Sequence, residues 1–138
     1  YVSDMTRTVG LGEPDPKLVE IYHIVEEARK RAVAAVSSSA TGREVDAAAR
    51  DYIASKGWAD CFTHSTGHGI GLELHELPVV SRLNGEQLPA GAVVTIEPGV
   101  YVEGLGGVRI EDDVIVHPDG GEVITGASPT ELRVLCPA

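Results

Sequence analysis

Asp4, His64, His68, His75, Glu97 and Glu111 are the residues whose types and spacing could hold a cation and move a proton. Three of the five histidines fall within His64-Ser65-Thr66-Gly67-His68-Gly69-Ile70-Gly71 and the His75-Glu76 that follows. In an extended chain His64 and His68 point to one side, and glycines between them allow backbone to approach a ligand closely. A lone histidine is commonly a satisfied core residue; three in one Gly-rich stretch point to a metal or catalytic site.

Two carboxylates follow isoleucines in apolar strands, in Thr95-Ile96-Glu97-Pro98-Gly99 and Val108-Arg109-Ile110-Glu111-Asp112-Asp113. Gly104-Leu105-Gly106-Gly107 is a hairpin turn signal. A hairpin centred near Gly104 pairs residues whose numbers sum to about 208, which sets Glu97 opposite Glu111 on one face. Like charges so placed repel, unless one carboxyl is protonated or a cation lies between them. Two exposed carboxylates on a wet outer face satisfy the same alternation, so spacing leaves both arrangements open. Asp4, in Ser3-Asp4-Met5-Thr6-Arg7-Thr8, reads in isolation as a solvated edge residue. Taken together, Asp4, His68, Glu97 and Glu111 offer three carboxylates and one imidazole. That donor set suits Mn²⁺, Co²⁺, Fe²⁺ or Zn²⁺ better than a thiolate-type structural zinc. No Gly-x-Ser-x-Gly elbow, P-loop or dinucleotide fingerprint is present. Cys61 lies near the histidines without an activating arrangement and reads as a small buried hydrophobe.

These residues need elements to carry them. Residues 1–9 are β-branched and alternating, so Val2, Asp4, Thr6 and Thr8 share one face of an expected strand. Asp15-Pro16 is an N-cap and first helical position, and Leu18, Ile21, Tyr22, Val25, Ala32 and Val36 recur at helical spacing to about Val36. Ser37-Ser38-Ser39 links to a second helix, opened by the capping box Thr41-Gly42-Arg43-Glu44 and stopped by Gly57. Short strands follow near 62–68, 92–97, 99–103, 107–112, 114–117 and 121–124. The order predicts one α+β domain over 1–138, with two helices packed on one face of a mainly antiparallel sheet.

Bulk properties narrow the partners. The 138 residues are 43% hydrophobic but only 4% aromatic, so the core rests on Val, Ile, Leu and Ala. The formal charge of -10 argues against nucleic acid and anionic membranes. There is no apolar run of about 18 residues to span a bilayer and no visible signal peptide. Cys61 and Cys136 lie far apart and read as free thiols of a cytoplasmic protein.

The run Tyr1 to Thr8, then His64 to Gly71, Thr95 to Tyr101 and Gly106 to Asp113, in that order, resembles the pita-bread metallopeptidases of the Xaa-Pro aminopeptidase and prolidase branch. Their Gly-His-Gly-Ile-Gly and Gly-Gly-Val-Arg-Ile-Glu-Asp forms are closer to this chain than those of methionine aminopeptidases or creatinases, which share the fold. The resemblance implies metal-dependent hydrolysis of the bond before proline, at a dinuclear Mn, Co or Zn site. It implies that Asp4 and Glu111 bridge two metals and that His68 and Glu97 bind the second, Glu97 doubling as general base. His64 and His75 resemble the histidines that bind substrate, and Arg109 and Tyr101 resemble residues standing just behind the ligands. The family's further aspartate ligand and one substrate histidine lie upstream of where this sequence starts. The expectation is therefore an N-terminally truncated catalytic domain with one well-formed metal site, whose activity as this fragment the resemblance leaves open, forming a homo-oligomer or completed by a missing N-terminal segment. The competing expectation is a non-catalytic truncated relative, serving as a metal- or peptide-binding or assembly module.

Overall fold

The protein is described by a computed structural model covering residues 1–136. The helices form where capping and periodicity place them. The first, α1, spans Pro16–Ala35; Asp15 caps it by accepting from the Lys17 N–H. The second, α2, spans Gly42–Ser55, with Thr41 and Glu44 closing a reciprocal capping box and Gly57 at φ 85° turning the chain away.

The strands are β1 (Val9–Leu11), β2 (Gly67–Gly69), β3 (Glu76–Val80), β4 (Val93–Ile96), β5 (Gly99–Val102), β6 (Gly106–Arg109), β7 (Asp112–His117), β8 (Gly120–Val123) and β9 (Arg133–Leu135). A five-stranded antiparallel sheet has the order β3-β2-β4-β7-β8. The β5–β6 hairpin forms a second sheet, and β1 pairs in parallel with β9. One face of the main sheet meets the helices: Val94, Ile96, Val114 and Val116 are buried in one core with Ile21, Val25 and Ala28 of α1 and Val45, Ala49 and Ile53 of α2. This is the expected α+β arrangement.

The long hairpin keeps the expected register. Residue numbers sum to 208 in every pair of both ladders, from Val93 with Ile115 to Val102 with Gly106. The ladder breaks only at residues 97–98 and 110–111. There the Glu97 N–H turns to the Thr66 carbonyl (2.7 Å) and the Glu111 N–H to the Thr6 carbonyl (3.1 Å).

Five expectations need correction. Residues 1–8 have the alternation of a strand but form none, because side chains rather than a backbone ladder fasten them to residues 109–113. The strand expected over 62–68 is confined to Gly67–Gly69, preceded by a short 3₁₀ turn at Ala59–Cys61. Strand β3 was not expected, since Pro78 lacks an N–H donor; it survives as the sheet's edge strand, where that loss is tolerated. Strand β9 has no local pattern and exists through its pairing with distant β1. Cys61 is half-buried rather than buried, and both cysteines are free.

Candidate metal centre

Period-two alternation sorts the long hairpin into two faces. Val94, Ile96 and Asp112 turn towards the helices; Thr95, Glu97, Glu111 and Asp113 turn the other way. Gly69 pairs with Val94, and continuing that register sets His68 beside Thr95. The contacts agree: the Thr95 hydroxyl accepts from the His68 N–H (3.0 Å) and donates to Glu97 Oε1 (3.1 Å). Gly67 and Gly69 serve this approach of strands. A Cβ at Gly67 would collide with the Thr95 carbonyl, and one at Gly69 with the Leu77 carbonyl. These glycines therefore admit neighbouring backbone, not a ligand.

His68 donates Nδ1–H to the Gly69 carbonyl (3.0 Å), which fixes the ring with Nε2 turned into the site. That Nε2 faces Glu97 Oε1 at 3.2 Å and Asp4 Oδ2 at 3.9 Å. Asp4 is delivered by the N-terminal segment: its N–H and the Ser3 hydroxyl donate to Asp113 Oδ2 (3.1 and 3.0 Å). Thr6 donates its hydroxyl to Glu111 Oε2, and Thr8 to the Arg109 carbonyl. Glu111 is only 2% exposed. Burial, with the Glu97 and Asp4 charges adding and the Thr6 hydrogen bond and Arg109 opposing, pushes its pKa up to about 7. Its Oε1 is buried and has no hydrogen-bond partner, as is Asp113 Oδ1. Burial likewise raises the Asp113 carboxyl, with the Asp4 and Asp112 charges adding to it.

Among the described residues, no three His, Cys, Asp or Glu side chains converge on one point as a complete metal-ligand cluster; the donors approach pairwise. The chemistry of the set nonetheless fits a divalent cation. An imidazole nitrogen facing two carboxylates is a ligand set for a cation, and the buried Glu111 oxygen without a donor is relieved by a positive charge beside it.

Above these groups lies an open cavity of ≈ 520 Å³ lined by His64, Ser65, His68, His75, Glu76, Leu77, Val79, Glu97 and Arg109. His75 stacks obliquely on His68, with ring centroids 4.1 Å apart. His64 is fixed from both ends: Nδ1 meets the Ser65 carbonyl (2.7 Å) and Nε2 the Tyr101 hydroxyl (3.0 Å). Arg109 donates to Tyr101 (3.1 Å) and to Thr6 (3.1 Å), and lies 4.0 Å from Glu97. The hydrogen bond to Tyr101 raises the guanidinium pKa further. Arg109 and Tyr101 thus link His64 to Thr6, whose hydroxyl donates to Glu111. Glu111 and Asp4 are not among the residues lining the cavity.

Sequence reasoning missed Thr6, Thr95 and Asp113, which hold the donors. A signal was present: each stands two residues from a candidate ligand (Asp4, Glu97 and Glu111), hence on the same face of an extended chain.

Comparisons with known proteins give the family and the fold. The sequence profile of metallopeptidase family M24 matches residues 1–118. The chain is 50% identical over 125 residues to the Xaa-Pro dipeptidase of Pyrococcus furiosus, covering 91% of this chain and 36% of that protein. The solved Xaa-Pro dipeptidase of Bacillus anthracis superposes with a TM-score of 0.94 at 56% identity, over 96% of this chain and 37% of that one. The crystal structure of an X-prolyl aminopeptidase from Caenorhabditis elegans, described as a cytosolic enzyme with a di-nuclear active site, matches at TM-score 0.71 and 32% identity, over 82% of this chain and 19% of that one. The chain therefore spans less than two-fifths of the length of these relatives, and its α+β architecture is part of their pita-bread fold. It is a member of metallopeptidase family M24.

Proposed function

We propose that this chain carries the metal-binding part of a hydrolase that cleaves the peptide bond preceding proline. The observation that carries the reading is the meeting of His68 Nε2 with Glu97 and Asp4, beside the buried, unpartnered Glu111 oxygen. Asp4, His68, Glu97 and Glu111 are the residues that would hold a divalent metal, with Mn²⁺ the ion best suited to oxygen-rich ligation and Co²⁺ or Zn²⁺ as alternatives. When bound, such a metal supplies an electrophile for the scissile carbonyl and acidifies water. Glu97, held by Thr95 and within reach of the cavity, is the base that takes the proton from the attacking water and passes it to the leaving amine. His75, exposed at the cavity wall, and His64, oriented by Ser65 and Tyr101, face the substrate and offset charge developing on the carbonyl oxygen.

A proline-containing peptide is the substrate class this assigns. The cytoplasm is the compartment, supported by the two free thiols and by the cytosolic description of the C. elegans relative. No helix among the described residues is long and apolar enough to cross a membrane. The test is paired. Calorimetric titration with Mn²⁺ should show one tight site filled by this chain's four donors. Hydrolysis of an Xaa-Pro dipeptide and of a longer Xaa-Pro peptide, with Mn²⁺ and with chelator, should separate dipeptidase from aminopeptidase activity. Metal binding without hydrolysis of either peptide would favour the binding-module reading; absence of metal binding would overturn both.

A further inference from the structure

Alternation turns Asp4, Thr6 and Thr8 towards the site and Arg7 away from it, to the helix side of the sheet where Asp112 lies. The Arg7 side chain is 12% exposed and Asp112 1%. All five guanidinium N–H groups find acceptors. Nη1 donates to the Thr6 and Glu111 carbonyls, Nη2 to Asp112 Oδ1 (2.7 Å) and the Ser128 carbonyl (3.0 Å), and Nε to the Pro129 carbonyl (3.1 Å).

Two of those acceptors join the donor-bearing segments. The Glu111 carbonyl belongs to one candidate ligand. The Thr6 carbonyl lies two residues from Asp4 and also receives the Glu111 N–H. One rigid planar fork therefore grips both segments at the point where the hairpin ladder is broken. The N-terminal segment has no strand ladder of its own to fix its distance from Glu111. We propose that Arg7 is a positioning residue that sets the separation of the Asp4 and Glu111 carboxylates from behind the sheet. The inference rests on the metal-binding reading above.

The fold supplies its own control. Arg29 of α1 binds the other oxygen of the same aspartate, Asp112 Oδ2 (2.6 Å), and Glu26 (2.9 and 3.1 Å). Its side chain is 10% exposed, much like that of Arg7. Yet none of its hydrogen bonds reaches the backbone of Thr6 or Glu111. A merely structural ion pair would act alike through either arginine; a positioning fork acts only through Arg7.

The experiment compares Arg7→Lys and Arg29→Lys in the full chain. Lysine keeps the charge but not the planar fork. Thermal unfolding of the metal-free protein and calorimetric Mn²⁺ affinity are the two readouts. Both variants should unfold at lower temperature than the parent. Only Arg7→Lys should bind Mn²⁺ more weakly, by about ten- to a hundredfold, the range for residues that orient metal ligands. Parental affinity in Arg7→Lys, or equal weakening in Arg29→Lys, would overturn the assignment. If Arg7→Lys does not fold, Arg7→Gln replaces it with the same expectation; failure of both to fold would make Arg7 a folding residue and likewise overturn it. A parent chain that binds no Mn²⁺ sinks the metal reading and this inference with it, whereas a binding parent with an unaffected Arg7 variant sinks only the inference.

Discussion

Glu111 combines the two demands on the site in one side chain. It is buried without a full set of donors, which is costly for folding, and that same deficiency suits it to a cation. Its carboxyl, ordinarily near 4.5, titrates at about 7 in the folded chain, chiefly because of burial. Between those values the folded state holds a proton that the unfolded state releases. Stability of the metal-free protein should therefore fall as pH rises through that window, by up to ~3 kcal/mol. Glu111→Gln should shrink the fall to the part carried by the raised Asp113 carboxyl: its midpoint in urea should exceed the parent's at pH 8 and match it near pH 4, while Mn²⁺ binding is lost. A parent whose metal-free stability is flat from pH 4 to 8 would contradict this. Thr95 supports the other carboxylate. Thr95→Val removes the acceptor of the His68 N–H and the donor to Glu97 at nearly constant volume. It should cost about 1–3 kcal/mol and weaken Mn²⁺ binding about tenfold, read by urea unfolding and calorimetry. Wild-type affinity in this variant would show that Thr95 does not orient the pair.

At the scale of elements, the site is a meeting of broken ladders. Strand β2 wedges between β3 and β4 with too little room for a side chain at Gly67 or Gly69. Gly67→Ala must push Thr95 backbone aside and should destabilise the fold by more than the ~1 kcal/mol expected of an ordinary strand substitution. Thr41→Ala provides the scale: it removes a helix-cap side chain whose hydrogen bonds run only to Glu44, and should cost about 1 kcal/mol without touching metal affinity. Thermal unfolding of the two variants checks the order, and an Ala at position 67 tolerated as easily as one at position 41 would refute the close approach. The N-terminal segment follows the same logic. It has the residue alternation of a strand, but the break in the hairpin gives it side-chain partners in Glu111 and Asp113, so it adds only isolated backbone bonds.

Over the whole molecule, the cavity opens beside an apolar rim. Leu72 is 76% exposed, and Leu77 and Leu83 are each 83% exposed. A groove of ≈ 770 Å³ lined by Leu77, Pro78, Leu83 and Pro89 continues from it. Leu77 and Leu83, exposed together along this groove, favour association. The chain should therefore elute from size-exclusion columns with an apparent mass that rises with concentration, and the double replacement Leu77→Ser/Leu83→Ser should suppress the rise while leaving the fold intact by circular dichroism. A parent chain eluting as a monomer at every concentration would count against this rim as a contact surface.

The helices, their caps and the hairpin register were legible from residue order, because capping, 3.6-residue periodicity and a glycine turn are local physics. The register alone already set Glu97 opposite Glu111, and it holds through both ladders. Pairings between distant segments were not legible. Strand β9 exists only because β1 lies beside it, and Pro78 concealed an edge strand. The place of Asp4 depended on Asp113, more than one hundred residues away. Sequence by itself determined which residue types could bind a cation and that Glu97 and Glu111 share one face of the hairpin, since alternation is a property of the backbone. Only the tertiary structure decided that these faces meet: hydrogen bonds and burial between segments far apart in the chain carry no signature in the order of their residues.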